Sequence, residues 1–317
     1  MVKYIFVYCI FVFTASCSVS TLKRNEDFKT WRNTNKIKVL ATTEIIADLV
    51  RKIGGDHIDV ISIIGGDLNP HSYEIVKGDG EKIDIADVIF ANGLSLEHSA
   101  SMRYQLERHR NTIYLGDDVM KRHPEMILRV DNQVDPHIWM DVVIWRECID
   151  PIVSSLSILD EKHSLDYLNM GEIAKGILSL QNIKMKDKLG SIPDNKRYLV
   201  TSHDAFNYFV RRYFATDGES DWKKRVNAIQ GLAPDEQISP LEIIKVVDYV
   251  LAHNVSVIFP EQNLSQDSLN KVVDSCKKKG SDVSLSSEML YGDTMGGNTY
   301  IGMLDSNTEV IYGNLLK

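Results

Sequence analysis

The stretch LDEKHSLDYLNMGEIAKGILSLQNIKMKDKLG, residues 159–190, decides how the whole chain is read. It contains no proline and no strand-like run. Leu165, Leu168, Ile173, Ile177, Leu180 and Ile183 recur in it at roughly helical intervals among Lys, Glu, Asp and Gln. Gly171 and Gly176 each weaken a helix by about 1 kcal/mol, which two glycines in so long a stretch do not outweigh. The reading is one helix of about 40 Å or more, at about 1.5 Å per residue. Ser191, Pro193 and Asp194 end it.

On either side of this helix the same rhythm runs. Upstream, the strand candidates are Ile37–Ala41, Ile58–Ile64, Asp87–Ala91 and Thr112–Leu115, with helical patterns over Thr43–Ile53 and His98–Arg110. Trp145, Cys148, Ile149, Ile152 and Leu156 then repeat at the spacing of one amphipathic helix. Downstream, Arg197–Thr201, Arg225–Ile229, Ser256–Pro260 and Asp282–Ser286 read as strands. Helices are expected over Asp204–Tyr213, Pro240–His253, Gln266–Lys279 and Asn298–Leu315. Strands alternating with helices form right-handed βαβ units on a parallel sheet covered on both faces. The expected fold is therefore α/β with two lobes, 37–158 and 191–317, joined by the backbone helix 159–190. Each lobe is a four-stranded parallel sheet flanked by helices. The cleft between them is the natural ligand site, because α/β sheets bind beyond their strand C-termini.

A length of 317 residues suits about two ordinary domains. A mean hydropathy of -0.17 excludes a polytopic membrane protein. The formal charge of -8 argues against nucleic acid as a partner, which calls for a basic face. At the N-terminus, Lys3 precedes an apolar run from Tyr4 to Phe13, and Thr14, Ala15 and Ser16 lead to Cys17. The run is too short to span a bilayer and has the flanks of a secretory signal. Residues 1–17 thus read as a signal peptide with a lipobox-like end, where the Cys17 thiol is acylated, although Thr14 stands where that pattern has Leu. Residues 18–36 read as a flexible tether. Cys148 and Cys276 fall in different halves and read as buried thiols rather than a disulfide.

Three of the nine histidines share a setting. His71 lies in Asn69-Pro70-His71-Ser72-Tyr73-Glu74, a proline turn after an Ile-rich strand. His137 lies in Asp135-Pro136-His137-Ile138-Trp139, also directly after a proline. His203 follows the strand Arg197–Thr201 almost at once. Each is presented by rigid backbone. A fourth candidate, Asp293, sits in Tyr291-Gly292-Asp293-Thr294-Met295-Gly296-Gly297. Three imidazoles and a carboxylate suit Zn(II), Mn(II) or Fe(II). Glu74 and Asp204, near the ligands in sequence, read as hydrogen-bond partners of imidazoles. Gly292, Gly296 and Gly297 are expected to let the last loop swing Asp293 away. His57, His98, His109, His123, His163 and His253 lie in helices or charged stretches and read as ordinary surface residues.

From about Lys38 to the C-terminus the chain resembles the metal receptors of manganese, zinc and iron ABC importers, in their TroA-like and YtgA-like branch. The matching stretches are the two Pro-His turns, Asn92-Gly93-Leu94 with Leu96-Glu97, and Ser202-His203-Asp204-Ala205-Phe206-Asn207-Tyr208-Phe209. Gly231-Leu232-Ala233-Pro234 with Gln237-Ile238-Ser239, and the Asp293 loop with Tyr300-Ile301-Gly302-Met303, complete the set. The resemblance implies His71 and His137 as ligands from the first lobe, His203 and Asp293 from the second, and one transported divalent transition metal. It also implies a monomeric, periplasmic or otherwise extracytoplasmic protein. Its partners would be an ABC permease and its ATPase in the inner membrane. Some manganese-selective members carry Glu in place of His203. The long His-rich loop of many zinc-dedicated members is missing, with only His123 between His109 and Asp135; the metal is left open. Two rival readings are weighed against this one. A secreted zinc hydrolase needs an open coordination position and a base, and there is no His-Glu-x-x-His helix. A surface adhesin or structural metalloprotein commonly has ligand pairs at short spacing, whereas these span His71 to Asp293.

Overall fold

Apolar runs become parallel strands here because helices cover both faces of each sheet. The computed structural model describes residues 28–234 and 237–316. In the first half, Ile37–Thr43 (β1), buried from Val39 onward, lies between Ile58–Ile64 (β2) and Val88–Ala91 (β3). Thr112–Tyr114 (β4) pairs with β3, and all three ladders are parallel. Helices Glu44–Gly54 (α1), Asp79–Ile85 (α2), Ala100–Arg108 (α3) and Leu115–Arg122 (α4) fill the connections. The Thr43 hydroxyl caps α1 by accepting from the Ile46 N–H. A short hairpin, Arg129–Val130 (β5) with Gln133–Val134 (β6), leads to Val142–Glu147 (α5) and Ile149–Leu159 (α6). The linking helix is Ser164–Gly190 (α7).

The second half repeats the first. Leu199–His203 (β7) is followed by Asn207–Tyr213 (α8), Val226–Gln230 (β8), Pro240–Ala252 (α9) and Val257–Ile258 (β9). Asp267–Lys278 (α10), Ser284–Leu285 (β10) and Tyr300–Leu315 (α11) complete the chain. β7 pairs with β8 and β9 with β10, both parallel. A bridge between Thr201 and Phe259, with the Phe259 N–H donating to the Val200 carbonyl at 2.8 Å, joins the two pairs. The resulting order, β8-β7-β9-β10, matches β2-β1-β3-β4 position for position.

All eight expected strands and the two-lobed α/β class are present, and the departures have local causes. The helix expected through Trp145–Leu156 is broken at Cys148 into α5 and α6. The linking helix starts at Ser164 rather than Leu159, because Asp160 leaves helical geometry. Its carboxylate instead faces His163 Nδ1 at 2.6 Å and accepts from the Tyr167 hydroxyl at 2.9 Å. The apolar residues that mark α7 in the sequence prove to be its solvent face. Its packed face is Tyr167, Gly171, Ala174, Leu178, Gln181, Met185 and Leu189. The end of the expected tether is docked. Residues 28–32 are helical, and buried Trp31 donates Nε1–H to the Asp59 carbonyl at 2.9 Å. The expected signal peptide with Cys17, and 18–27 of the tether, lie outside the described residues.

The largest hydrophobic cluster crosses between the lobes. It takes Trp139 and Trp145 from the first half, Tyr167 from α7, and Phe206, Phe209, Tyr300 and Met303 from the second. α8 adds a row of polar links to the first half. The Arg212 guanidinium grips both oxygens of buried Asp141 at 2.8 and 2.9 Å, and Arg211 donates to the Met126 carbonyl at 2.7 Å. The lobes are therefore fused by a shared core as well as by one helix.

The two glycines of α7 separate packing from propensity. A Cβ on Gly171 would meet Val153 Cγ2 at 2.7 Å, whereas one on Gly176 would meet nothing within 4 Å. Gly176→Ala should raise stability by about 0.5–1 kcal/mol. Gly171→Ala should lower it by about 1 kcal/mol or more, because β-branched Val153 cannot rotate away cheaply. Urea unfolding followed by circular dichroism measures both, and equal gains would show that α7 does not pack on α6 through Gly171.

Candidate metal centre

Each candidate ligand is held by its own local device. In the two Pro-His turns the residue before proline caps the histidine. Asn69 Oδ1 accepts from the His71 N–H at 2.9 Å, and Asp135 Oδ1 from the His137 N–H at 3.0 Å. Asp135 Oδ1 also stands 2.7 Å from His137 Nδ1, which turns Nε2 toward the cleft. His203 is the last residue of β7, and its N–H donates to Glu261 Oε1 at 2.8 Å. Glu261 Oε2 lies 2.8 Å from His203 Nδ1, paired in charge though not aligned as a hydrogen bond. Asp293 sits in a loop fastened at two points. Asn307 of α11 brackets the Tyr291 backbone with two 2.9 Å bonds, and Trp139 Nε1 donates to the Gly292 carbonyl at 2.8 Å.

These devices bring His71, His137, His203 and Asp293 together, each at most 4% exposed. One ligand atom from each lies within 4.8 Å of all the others. His71 Nε2 is 3.3 Å from His137 Nε2 and 3.6 Å from Asp293 Oδ2. Asp293 is 3.5 Å from His137 Nε2 and 3.4 Å from His203 Nε2. A tetrahedron of N and O ligands at about 2.0–2.2 Å from an ion has edges of about 3.3–3.6 Å. His203 Nε2 and both Asp293 oxygens are buried without a hydrogen-bond partner, an arrangement that costs free energy unless something binds them. The donor set fits a four-coordinate transition metal.

The electrostatics point the same way. Burial alone would raise the Asp293 carboxyl, but His203 and His71 beside it hold it well below the usual carboxylate range. Burial would lower His203, yet the Glu261 and Asp293 carboxylates raise it well above the ordinary histidine value. His71 is lowered, chiefly by burial. A proton on His203 thus occupies the place of a cation among buried carboxylates, and a metal must displace it.

Neither expected hydrogen-bond partner bonds a ligand imidazole. Glu74 faces the Ser101 hydroxyl at the surface. Asp204 is half-buried, its carboxyl raised by desolvation and by Asp135, and its carbonyl accepts from Asn207. Asp135 and Glu261 take those roles. Asp135 was visible in the Pro-His motif, whereas Glu261 is 58 positions from the histidine it holds. Gly292 is also not a source of freedom. A Cβ there would fall 2.1 Å from Glu261 Oε2, so glycine is required for close approach. Of the three glycines in this loop, Gly296 and Gly297 have positive φ and Gly292 does not. Of the remaining histidines, the His98 ring is 6.1 Å from His71, outside the cluster.

Removing either supporting carboxylate should weaken metal binding by about 10–100-fold with the fold intact, as for other carboxylates that orient ligand imidazoles. Asp135→Asn and Glu261→Gln are the variants. Because protonated His203 excludes metal, wild-type affinity should rise with pH beyond the ordinary histidine range. Glu261→Gln removes a cause of the raised value, so its rise should end at lower pH. Competition titrations with a chromogenic chelator at several pH values measure both, and an unchanged profile for Glu261→Gln would remove the carboxylate from this role.

Comparison with known proteins agrees with this geometry. The family model described as zinc-uptake complex component A, periplasmic (ZnuA), matches residues 39–314. The chain is 39% identical over 295 residues to the metal-binding protein YtgA of Chlamydia pneumoniae, covering 92% of this chain and 89% of that protein. It is 29% identical over 283 residues to the manganese-binding lipoprotein MntA of Bacillus subtilis, covering 87% and 89%. The crystal structure of Fe(III)-bound YtgA from Chlamydia trachomatis superposes with a TM-score of 0.84 at 34% identity, covering 87% of this chain and 97% of that one. With the fold, the buried histidine and aspartate cluster and a family match over residues 39–314, the protein belongs to the ZnuA family of periplasmic metal-binding proteins.

Proposed function

We propose that this chain is the extracytoplasmic solute-binding receptor of an ABC importer. It captures one divalent transition-metal ion, manganese, zinc or iron, with His71, His137, His203 and Asp293. It delivers that ion to a membrane permease and its ATPase. One observation carries the reading: four buried donors, two from each lobe, lie within 4.8 Å of one another where the lobes meet, and those of His203 and Asp293 have no hydrogen-bond partner. The relatives' names cover zinc, manganese and Fe(III), and a donor set of three imidazoles and one carboxylate accepts all three metals.

The same geometry disfavours catalysis. Four protein donors close the shell, and a hydrolytic metal needs a position for water. It also disfavours a purely structural ion, since each half has a hydrophobic core of its own beside the shared one. In this reading 37–158 and 191–317 are the lobes, 159–190 is the link between them, and 1–17 is a signal whose Cys17 carries a lipid anchor.

His71→Ala, His137→Ala, His203→Ala and Asp293→Ala should each weaken metal binding at least about tenfold, because each removes one donor from a small closed shell. His123→Ala and His163→Ala should change nothing. Wild-type protein stripped by chelator should keep its far-ultraviolet circular dichroism, whereas a structural-metal protein would unfold. Near-wild-type affinity in a His71→Ala/Asp293→Ala double variant would end the site assignment.

Anchoring has a separate test. Cys17→Ser should move the mature protein from the membrane to the soluble fraction, since a multi-chain lipid anchor is effectively permanent. Metal binding should be unaffected, and unchanged membrane association would show that something other than Cys17 holds the protein there.

A further inference from the structure

The four ligands are not fastened alike. The segment carrying His137 is tied to the second half by buried bonds, from Asn207 and Tyr208 to Asp135 and from Arg212 to Asp141. His137 and His203 also have a carboxylate at Nδ1, Asp135 and Glu261 respectively. His71 is held through its backbone by Asn69, two residues before it in the same loop. That loop, residues 65–78 between β2 and α2, has neither helix nor strand, and Gly66 in it has a φ of 66°. Toward solvent the loop meets the second half at an exposed pair, where Gln262 Nε2 donates to Asp67 Oδ2 at 3.4 Å. Gln262 is itself anchored, its backbone N–H donating to the Leu290 carbonyl at 3.0 Å. It directly follows Glu261, the residue that holds His203. A Cβ on Gly296 would fall 2.8 Å from Gln262 Oε1, so the amide lies on the loop that carries Asp293. One side chain thus adjoins the supports of three of the four ligands.

We propose that Asp67 and Gln262 form a latch across the mouth of the metal cleft, and that its opening lets the His71 loop lift to admit or release the ion. The proposal rests on the metal-receptor reading and adds to it the residues that set how fast cargo exchanges. The four ligands are each at most 4% exposed, so an ion can neither enter nor leave without a movement. The core shared by the lobes and the buried bonds between them resist separation of the halves, which leaves a loop as the part that moves. The latch has the strength a gate needs. An exposed hydrogen bond from a neutral amide to a carboxylate competes with water on both sides, so its net contribution is small and it opens readily. It still biases the loop toward the closed position. Asp67 and Gln262 are positioning residues, since neither belongs to the ligand cluster. Lying outside that cluster, the pair acts alike on the empty and the loaded protein. Its loss therefore speeds capture and release together and leaves affinity almost unchanged, because a ligand shifts an equilibrium only by its differential affinity for the two states. Loss of a ligand or of the carboxylate behind it weakens affinity instead.

Stopped-flow exchange on the mature chain tests it, with Zn(II) as the ion. Release is followed with excess chromogenic chelator. Capture is followed by tryptophan fluorescence, since the Trp139 ring lies 5.2 Å from that of His137. Gln262→Leu should capture and release Zn(II) about fivefold faster, the effect of one exposed hydrogen bond, with Kd within about twofold of wild type. Gln262→Glu sets a second carboxylate against Asp67 and should release faster still, although a negative charge added near a cation would by itself slow release. Asp67→Asn/Gln262→Glu exchanges donor and acceptor at unchanged net charge and should return release to within about twofold of wild type. Circular dichroism should be the same for all. Exchange by Gln262→Leu at the wild-type rate overturns the latch. So does faster release with a matching loss of affinity and unchanged capture, or an exchanged pair that releases no more slowly than Gln262→Glu. A wild type that binds no Zn(II), Mn(II) or Fe(II) ends the receptor reading and the latch together, whereas a wild type that binds beside a Gln262→Leu variant that exchanges no faster ends the latch alone.

Discussion

The structure turns on Asp135. Its carboxylate closes the turn that presents His137, faces His137 Nδ1, and accepts from the Asn207 amide at 3.0 Å; its carbonyl accepts from the Tyr208 hydroxyl at 2.9 Å. Asn207 and Tyr208 open α8, and α8 follows the β7 end that carries His203. One buried residue of the first half thus ties a ligand of its own half to the helix beside a ligand of the other. A buried carboxylate is tolerable only when its lone pairs are filled. Here the groups that fill them belong to both lobes, so the solvation need of one side chain fixes the width of the cleft.

The same economy appears across the interface. Asp141 caps α5 by accepting from the Val143 N–H and also receives Arg212 from α8. Trp139 gives its ring N–H to Gly292 and its carbonyl to the Tyr300 hydroxyl. Asn92, at the end of β3, reaches the Pro136 carbonyl, and Glu97 folds back onto the Asn92 and Gly93 amides, its carboxyl raised by burial. The Asn92-Gly93-Leu94 and Glu97 motif that carried part of the family resemblance is thereby explained. It supports the turn beneath His137 rather than touching a ligand.

Whatever the chain encodes locally could be read from it. Strands buried on both faces appear as uninterrupted apolar runs, and proline beside His71 and His137 marks rigid presentation. Long-range choices were not legible. Glu261 looks like any residue after a strand until β9 brings it beside β7. The break at Cys148 does have a local marker, Pro151, which lacks the N–H that would bond the Glu147 carbonyl and so stands in the first turn of α6; the apolar spacing of Trp145–Leu156 did not show it. Helix α7 carries apolar residues on two opposite faces, so periodicity located the helix but did not say which face would be buried. Trp31, set among polar residues, gave no sign that it would dock beneath β2. Asp293 stood out by the glycines that bracket its loop after the last strand, and the family resemblance then assigned it a role.

The repeated strand order of the two halves has a further meaning. Topologically the halves are copies, yet their donors attach at different places: His71 follows the second strand of its sheet, while His203 ends the first of its own and Asp293 follows the fourth. The ion's cage therefore belongs to neither copy and arises only at the seam. A doubled frame of this kind separates inheritance of shape from inheritance of chemistry. Either half can exchange a loop donor without disturbing the donors of its twin, and one architecture can diversify across metals by single-residue steps.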